Sequence, residues 1–336
     1  MTMETQLDRS IGAQSSVLFD LAESSFPAEA SVLAAARRIV LVGTGSSYNA
    51  ARLAAWQFRR RGVEAVAISS ADQGRWEPPA RPGDAVVVIS HTGRSAYSAR
   101  AREDAVAAGV PLVSITGPGS GWPEAIVAGP AEVCDTYTVS YVATLGALAR
   151  LLDGIVAVRA GAPVAAGSSE LRSAAERVAA AIEDPDIAHI NVPERAMVIV
   201  GAGPWAITAA EGALKLREAG RVLAEGYDTE TLLHGSAVPL TGADTLLALE
   251  PSADRDGLID GLAAAAHAEG VHVVSLEETR AVTDPFYAQF APTVRLQQLA
   301  AHFARRRGQN PDAVIVGCWN NASLWNAGRP PVAAAS

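Results

Sequence analysis

The sequence predicts a two-lobed α/β protein, each lobe a doubly wound parallel sheet with helices on both faces, a three-layer αβα arrangement. Three observations carry this. Short runs of Val, Ile and Leu recur without polar alternation, as strands buried on both faces do. Helical stretches separate those runs, so strand, helix and strand follow one another as right-handed crossovers. The first half of the chain is also repeated in the second.

In chain order, residues 1–35 are expected to form a helical arm packing on the first lobe, which spans 36–165. That lobe opens with the strand Ile39-Val40-Leu41-Val42 and the turn Gly43-Thr44-Gly45-Ser46-Ser47, then a helix over 46–61. The strand Glu64–Ile68 follows, then Asp84–Ser90, a helix over 95–108, the strand Gly109–Ile115 and a helix over 142–158. Residues 166–190 form the linker, a helix at 170–184 broken by Asp184-Pro185 and Val192-Pro193. The second lobe, 191–336, repeats the pattern. Met197–Val200 runs into Gly201-Ala202-Gly203-Pro204-Trp205 and a helix over 206–225, and the strands Asp244–Glu250 and Gly270–Leu276 and a C-terminal tail complete it. Three strand pairs starting at 39 and 197, 84 and 244, and 109 and 270 lie 158, 160 and 161 residues apart, in the same order. This is the signature of an internal duplication.

Composition narrows the function. The 336 residues are 49% apolar with a formal net charge of −9, which argues against a broad basic face for nucleic acid. The N-terminus is polar and acidic, and no apolar run reaches the ~20 residues that span a bilayer. No membrane association and a cytoplasmic location are therefore expected. Cys134 and Cys318 lack metal-ligand spacing and read as buried thiols. No metal or cofactor is expected. Lys215 is the only lysine.

In open α/β sheets ligands bind where strands end and helices begin. Two first-lobe loops qualify, Gly43-Thr44-Gly45-Ser46-Ser47-Tyr48 and Ser90-His91-Thr92-Gly93-Arg94-Ser95. Both are rich in glycine and hydroxyls and both open a helix, whose free N–H groups and dipole favour an anion such as a phosphate monoester. Ordinary helix caps would use the same residue types. A dinucleotide site fits less well. The first loop lacks the third glycine, and the next strand ends in Ser69-Ser70 with no acid for a ribose. The second lobe puts Trp205 where the first has Ser47, and Glu250-Pro251 where it has Ser90-His91, so the anion pocket is lost there. It offers instead Glu211, Lys215 and Glu218 on one helix face, at i, i+4 and i+7. Such a row is either a solvated salt-bridged stripe or a functional cluster.

The segments VGTGSSY, ISHTGRS and EGALKLRE, followed by AEGY and HG, resemble the sugar isomerase (SIS) family. Within it they are similar to the isomerase half of glucosamine-6-phosphate synthase and to stand-alone aminosugar-phosphate isomerases and deaminases and fructosamine-phosphate deglycases. The resemblance runs from about 36 to 310. It implies that Ser47, Ser90, His91, Thr92 and Ser95 hold the substrate phosphate, with Gly45, Ser46 and Glu225 against the rest of the substrate. It implies that Glu218 moves a proton between C1 and C2, that His234, supplied by a neighbouring subunit, assists ring opening, and that Lys215 assists near the base. A homodimer with a shared active site follows.

The resemblance implies an aldose–ketose isomerase or deaminase of aminosugar phosphates. Alternatives are a fructosamine-phosphate deglycase and a non-catalytic sugar-phosphate sensor. No glutaminase part precedes these segments, so nitrogen from glutamine is not expected. Three departures matter. Arg94 stands where the family has Glu and His91 where it has Gln, both adding cationic character. Val142-Ala143-Thr144-Leu145 lacks the family's lysine. The tail Gly317–Asn326 also lacks a lysine, so no imine can form from it, and its two tryptophans and three asparagines suit either a lid on a sugar or a structural anchor.

Overall fold

The structure, a computed structural model, describes residues 4–278 and 284–328. The chain forms two compact units. One comprises Val17–Glu132, Val139–Leu171 and Ile315–Ser336, the other Met1–Ser16, Val133–Thr138 and Arg172–Val314. They are called here the first and second lobe.

The first lobe holds five parallel strands, β1 (Arg38–Gly43), β2 (Ala65–Ser69), β3 (Asp84–Ile89), β4 (Leu112–Thr116) and β5 (Ala125–Val127), in the order β2-β1-β3-β4-β5. Val40, Val42, Val86 and Val88 face Ala101 and Ala105 of one covering helix. Ile39, Leu41, Ala85 and Val87 are equally buried on the other face, which is why these strands show no polar alternation. Each of the buried Val, Ile and Leu side chains contributes roughly 1.5–3 kcal/mol by leaving water.

The second lobe repeats the arrangement with four parallel strands, β6 (Ala196–Gly201), β7 (Leu223–Tyr227), β8 (Thr245–Leu249) and β9 (His272–Leu276), ordered β7-β6-β8-β9. The helices are α1 (Gln6–Gly12), α2 (Gln14–Ala22), α3 (Pro27–Ala34), α4 (Ser46–Arg60), α5 (Ala96–Ala107), α6 (Val139–Arg159), α7 (Ser169–Glu183), α8 (Trp205–Glu218), α9 (Thr229–Thr231), α10 (Leu258–Ala268), α11 (Phe290–Arg306) and α12 (Ala322–Asn326). The N-terminal arm is divided. Asp312 accepts the Gln6 and Leu7 amides at the start of α1, within the second lobe, whereas α3 packs on α6 within the first.

The duplication extends to details that the sequence pattern did not reveal. Arg38 grips Asp84 at the start of β1 and β3, Nε at 3.1 Å and Nη2 at 2.6 Å. Arg195 grips Asp244 in the same fork just ahead of β6 and β8, with Nε at 2.8 Å. Each carboxylate is also bonded by a backbone amide three residues upstream. Burial opposes ionisation of both, but these contacts hold both below the usual carboxylate range. The strand-end turns match as closely. A Cβ at Gly43 would sit 2.6 Å from the Ser47 backbone, and one at Gly201 would sit 2.6 Å from that of Trp205.

Three expectations need correction. The helix expected over 206–225 ends at Glu218, and 223–227 is an edge strand instead. The alternation of buried Val222 and Ala224 with exposed Leu223 and Glu225 is a strand pattern. Gly226 lets that strand lie on α8, because a Cβ there would meet Ala209 and Ala210 backbone at 2.3–2.5 Å. Second, α6 is long and apolar enough, by length and composition, to cross a membrane. It packs as a core helix, buried in protein over most of its length, and Arg150 within it binds the carbonyls of Ser24, Ala165 and Ala166. Third, Cys134 is buried but Cys318 is exposed.

The second lobe's counterpart of Ser90 is Glu250. The Ser90 amide bonds the Ile115 carbonyl and the Glu250 amide bonds that of Leu276. Glu250 is 7% exposed, has φ 51° and accepts the Glu278 amide at 2.7 Å. Burial, with the neighbouring Glu278 and Glu277 charges, pushes its carboxyl from 4.5 up to about 7 against the pull of that amide and of Arg295. A folded value above the unfolded one means that the stabilising proton is held below pH 4.5 and that stability is lost as pH climbs through 7. Glu250→Gln is expected to flatten the fall in melting temperature between pH 5.5 and 8, removing at most about 3 kcal/mol of pH dependence. An unchanged slope in calorimetric scans would show that Glu250 is not its source.

Candidate active site

The two hydroxyl-rich loops leave the carboxyl ends of β1 and β3. These strands are neighbours in the sheet, and β2 lies on the far side of β1, so the crevice above them is the switch point of the first lobe. Gly45, at φ 53°, precedes α4, and Ser95 precedes α5, and neither helix start is capped by a side chain. The ordinary-cap reading of these residues therefore fails, and the N–H groups of both first turns are directed to the crevice end of the helices. Ser46, Ser47 and Thr92 are partly exposed and Ser95 is exposed. Thr92 Oγ1 accepts the Arg94 amide at 3.2 Å. Gly93 has φ 67°, and a Cβ there would crowd Ser120 and Trp122 at 3.0 and 3.3 Å, so the turn requires glycine twice over.

Ser90 is 3% exposed, and its Oγ has no hydrogen-bond partner among the described residues. A buried hydroxyl left so costs roughly 1–3 kcal/mol, which a phosphate oxygen would relieve. Ser70 is a residue that sequence reasoning passed over. It follows β2, donates its amide to the Gly43 carbonyl at 2.8 Å, and also has a buried Oγ without a partner among the described residues. The Ser69-Ser70 strand end was the available signal.

His91 departs from its expected cationic character. Its Nε2 accepts the Glu132 amide at 3.3 Å, and its ring lies on Gly117, where a Cβ would come within 2.3 Å. Burial lowers its pKa, offset in part by the Glu132 carboxylate. The ring is therefore neutral with the proton on Nδ1, and it shapes the loop rather than charging it. Arg94, exposed in the same loop, keeps its charge.

In the second lobe the Glu211, Lys215 and Glu218 row is not a solvated stripe. Lys215 and Glu211 are each 1% exposed, and Lys215 Nζ lies 2.6 Å from Glu218 Oε2 and 3.6 Å from Glu211 Oε1. The row is buried because α11 and β7 pack on α8; a Cβ at Gly212 would strike Leu296 at 2.5 Å. Burial raises the Glu218 carboxyl above its ordinary 4.5, more than the Lys215 ammonium draws it down. A carboxylate so placed, 22% exposed and raised above its ordinary range, is suited to take a proton and return it.

His234 is exposed in a turn just after α9, and its Nδ1 donates to the Glu230 carbonyl at 2.9 Å. With Nδ1 committed to that carbonyl, Nε2 is the ring nitrogen left to face other groups. The turn needs Gly235, which has φ 113°. Glu225 lies exposed on the edge strand β7 and accepts the Tyr227 hydroxyl; no described contact joins it to Lys215 or Glu218. The tail folds back within the first lobe. Trp325 Nε1 donates to the Trp319 carbonyl at 2.8 Å, both indoles are largely exposed, and Gly328 lies against the ring of Tyr97.

Comparison with known proteins agrees with this architecture. Residues 32–147 match the SIS domain family. The chain is 26% identical over 306 residues to the glutamine–fructose-6-phosphate aminotransferase (isomerizing) of Zymomonas mobilis, covering 82% of this chain and 50% of that protein. It is 28% identical over 314 residues to that of Pyrococcus horikoshii, covering 85% and 52%. The chain thus spans about half the length of the curated relatives it matches. Among solved structures, a Thermotoga maritima glucosamine-6-phosphate deaminase superposes with a TM-score of 0.75 at 21% identity, covering 92% of this chain and 97% of that one. The Escherichia coli tagatose-6-phosphate ketose/aldose isomerase gives 0.71 at 18% identity, covering 94% and 98%. Residues 32–147 thus match an SIS domain, and the chain as a whole shares the two-lobed fold of these solved structures.

Proposed function

We propose that the protein is an aldose–ketose isomerase or deaminase acting on an amino- or keto-sugar phosphate in the cytoplasm as a homodimer. The observation that carries the reading is the buried Lys215–Glu218 pair, which leaves one carboxyl raised and partly exposed. Glu218 would remove the proton alpha to the carbonyl or imine carbon and return it to the neighbouring carbon, through an enediol or enamine. Lys215 would steady the negative charge that develops, and His234 Nε2 of the partner subunit would move the ring-oxygen proton. The phosphate would sit on the loops at 45–47 and 90–95, where Ser90 brings an unpartnered hydroxyl.

The test is incubation with fructose 6-phosphate plus ammonia, with glucosamine 6-phosphate, and with a fructosamine 6-phosphate, following products by mass spectrometry. Turnover of any of them supports the reading, and the substrate consumed tells isomerase from deaminase or deglycase. Ser90→Ala is expected to raise KM about tenfold with little change in kcat, as loss of a hydrogen bond to a charged group does. An unaltered KM would remove Ser90 from the phosphate site. The lysine-free tail favours a second reading, a sugar-phosphate sensor, for which saturable binding without turnover is the expected result.

A further inference from the structure

We infer that Trp122 and Arg102 are positioning residues for the phosphate, holding the 90–95 loop and the helix it opens in the relation that lets both meet one anion. This rests on the reading above that these loops hold a sugar phosphate.

The 90–95 loop brings two kinds of donor, its own hydroxyls and the N–H groups in the first turn of α5, which no side chain caps. Both reach the same phosphate only if loop and helix keep a fixed orientation. Gly93, at φ 67°, is the bend between them. Its backbone rests on the connection that follows β4, where a Cβ would meet Ser120 at 3.0 Å and Cε2 of Trp122 at 3.3 Å. The guanidinium of Arg102 covers the Trp122 indole, 5.2 Å from the ring centre, and Arg102 stands on α5 itself. Loop, helix, Arg102, Trp122 and Gly93 thus form a closed circuit of contacts.

Each member of the circuit is pinned. Arg102 forks onto Glu124, Nε to Oε1 at 2.7 Å and Nη2 to Oε2 at 2.8 Å, and Ser114 on β4 donates to the same carboxylate at 2.7 Å. Burial opposes ionisation of Glu124, but these bonds hold it below the usual carboxylate range. Ser120 Oγ accepts the Trp122 amide at 3.4 Å and bonds Thr116 Oγ1 at 3.1 Å. The Gly117 amide donates to the His91 carbonyl at 2.8 Å, which fastens the other end of the loop. The fold does not demand this brace. The second lobe keeps the arginine–aspartate clamp and the glycine turn, yet its sheet stops at β9, with no counterpart of β5 among the described residues. The connection that carries Trp122 accompanies only the hydroxyl-bearing loop. A lysine at 102 would keep the charge opposite Glu124 but neither the planar fork nor the stack on the indole.

The test is titration calorimetry with glucitol 6-phosphate, an open-chain probe that cannot be isomerised, on proteins first shown to be folded by their melting transitions. The wild-type protein is expected to bind it. Trp122→Ala is expected to bind about tenfold more weakly, Arg102→Lys about threefold or more, and Trp122→Phe, which retains a ring, less weakly than Trp122→Ala. Combining Trp122→Ala with Ser90→Ala separates positioning from general damage. Two changes that act through one loop should weaken binding by less than the product of their separate factors. Arg102→Lys carries the same cycle should Trp122→Ala not fold. Unchanged affinity in these variants, or factors that simply multiply, overturns the inference and leaves the phosphate site standing. No binding of glucitol 6-phosphate by the wild-type protein overturns the phosphate site and this inference together.

Discussion

Replacing Glu218 by glutamine is expected to lower kcat by about 10²–10⁴-fold, the span that a positioned general base supplies. The amide keeps the size of the carboxyl and one acceptor oxygen for the Lys215 ammonium, which also has Glu211 at 3.6 Å, so KM should move little, as when an interaction made only in the transition state is lost. The side chain is 22% exposed and lies at the end of α8, so the fold should survive. The pH profile adds an independent sign. Glu218 must be ionised to accept a proton, and burial raises its pKa above 4.5 despite the Lys215 ammonium. The acid limb of kcat/KM in the wild-type protein is therefore expected above pH 4.5, and the limb should vanish from the residual activity of the variant. An acid limb that persists in Glu218→Gln would assign the base to another group.

Lys215→Met is expected to destabilise the protein by about 3–5 kcal/mol, the cost of removing one partner from a buried ion pair. Lys215 is 1% exposed and bonds Glu218 at 2.6 Å with Glu211 at 3.6 Å. Without the ammonium, two carboxyls stay close together in an apolar wall formed by α8 and its neighbours. The Glu218 carboxyl, already raised by burial, loses the charge that draws it down and rises further. A folded pKa above the unfolded one is a stability lost on raising the pH, so the deficit should be larger at pH 8 than at pH 5. Thermal unfolding at both values reads this directly, and an equal deficit at each would show that the pair is not electrostatically coupled. Adding Glu218→Gln to Lys215→Met should recover part of the loss, because the change removes one of the stranded charges.

The fold was legible because buried parallel strands write themselves as unbroken apolar runs, and because the same runs recur in the second lobe. The stretch 219–227 was misread for a physical reason. Ala224 and Gly226 are compatible with a helix by their immediate neighbours, and only the close approach of the Gly226 backbone to Ala209 and Ala210 decides for a strand. The Arg38–Asp84 and Arg195–Asp244 clamps escaped notice because each joins residues nearly fifty positions apart. The same limit applied at the site. Spacing placed Glu211, Lys215 and Glu218 on one face, but whether that face was wet depended on α11, about eighty residues further on. Spacing also could not show that His91 is held neutral by the Glu132 amide, and so the added positive charge of that loop comes from Arg94 alone.

The central claim is that Glu218 exchanges a proton on the substrate carbon next to the carbonyl. Incubating the protein with fructose 6-phosphate or glucosamine 6-phosphate in deuterated water, and recording the sugar by proton NMR and mass spectrometry, tests it without requiring net conversion. The account predicts uptake of one deuterium at C1 or C2 by the wild-type protein and none beyond background with Glu218→Gln. Saturable binding of these sugars with no deuterium uptake, or equal uptake by the Glu218→Gln variant, would contradict it.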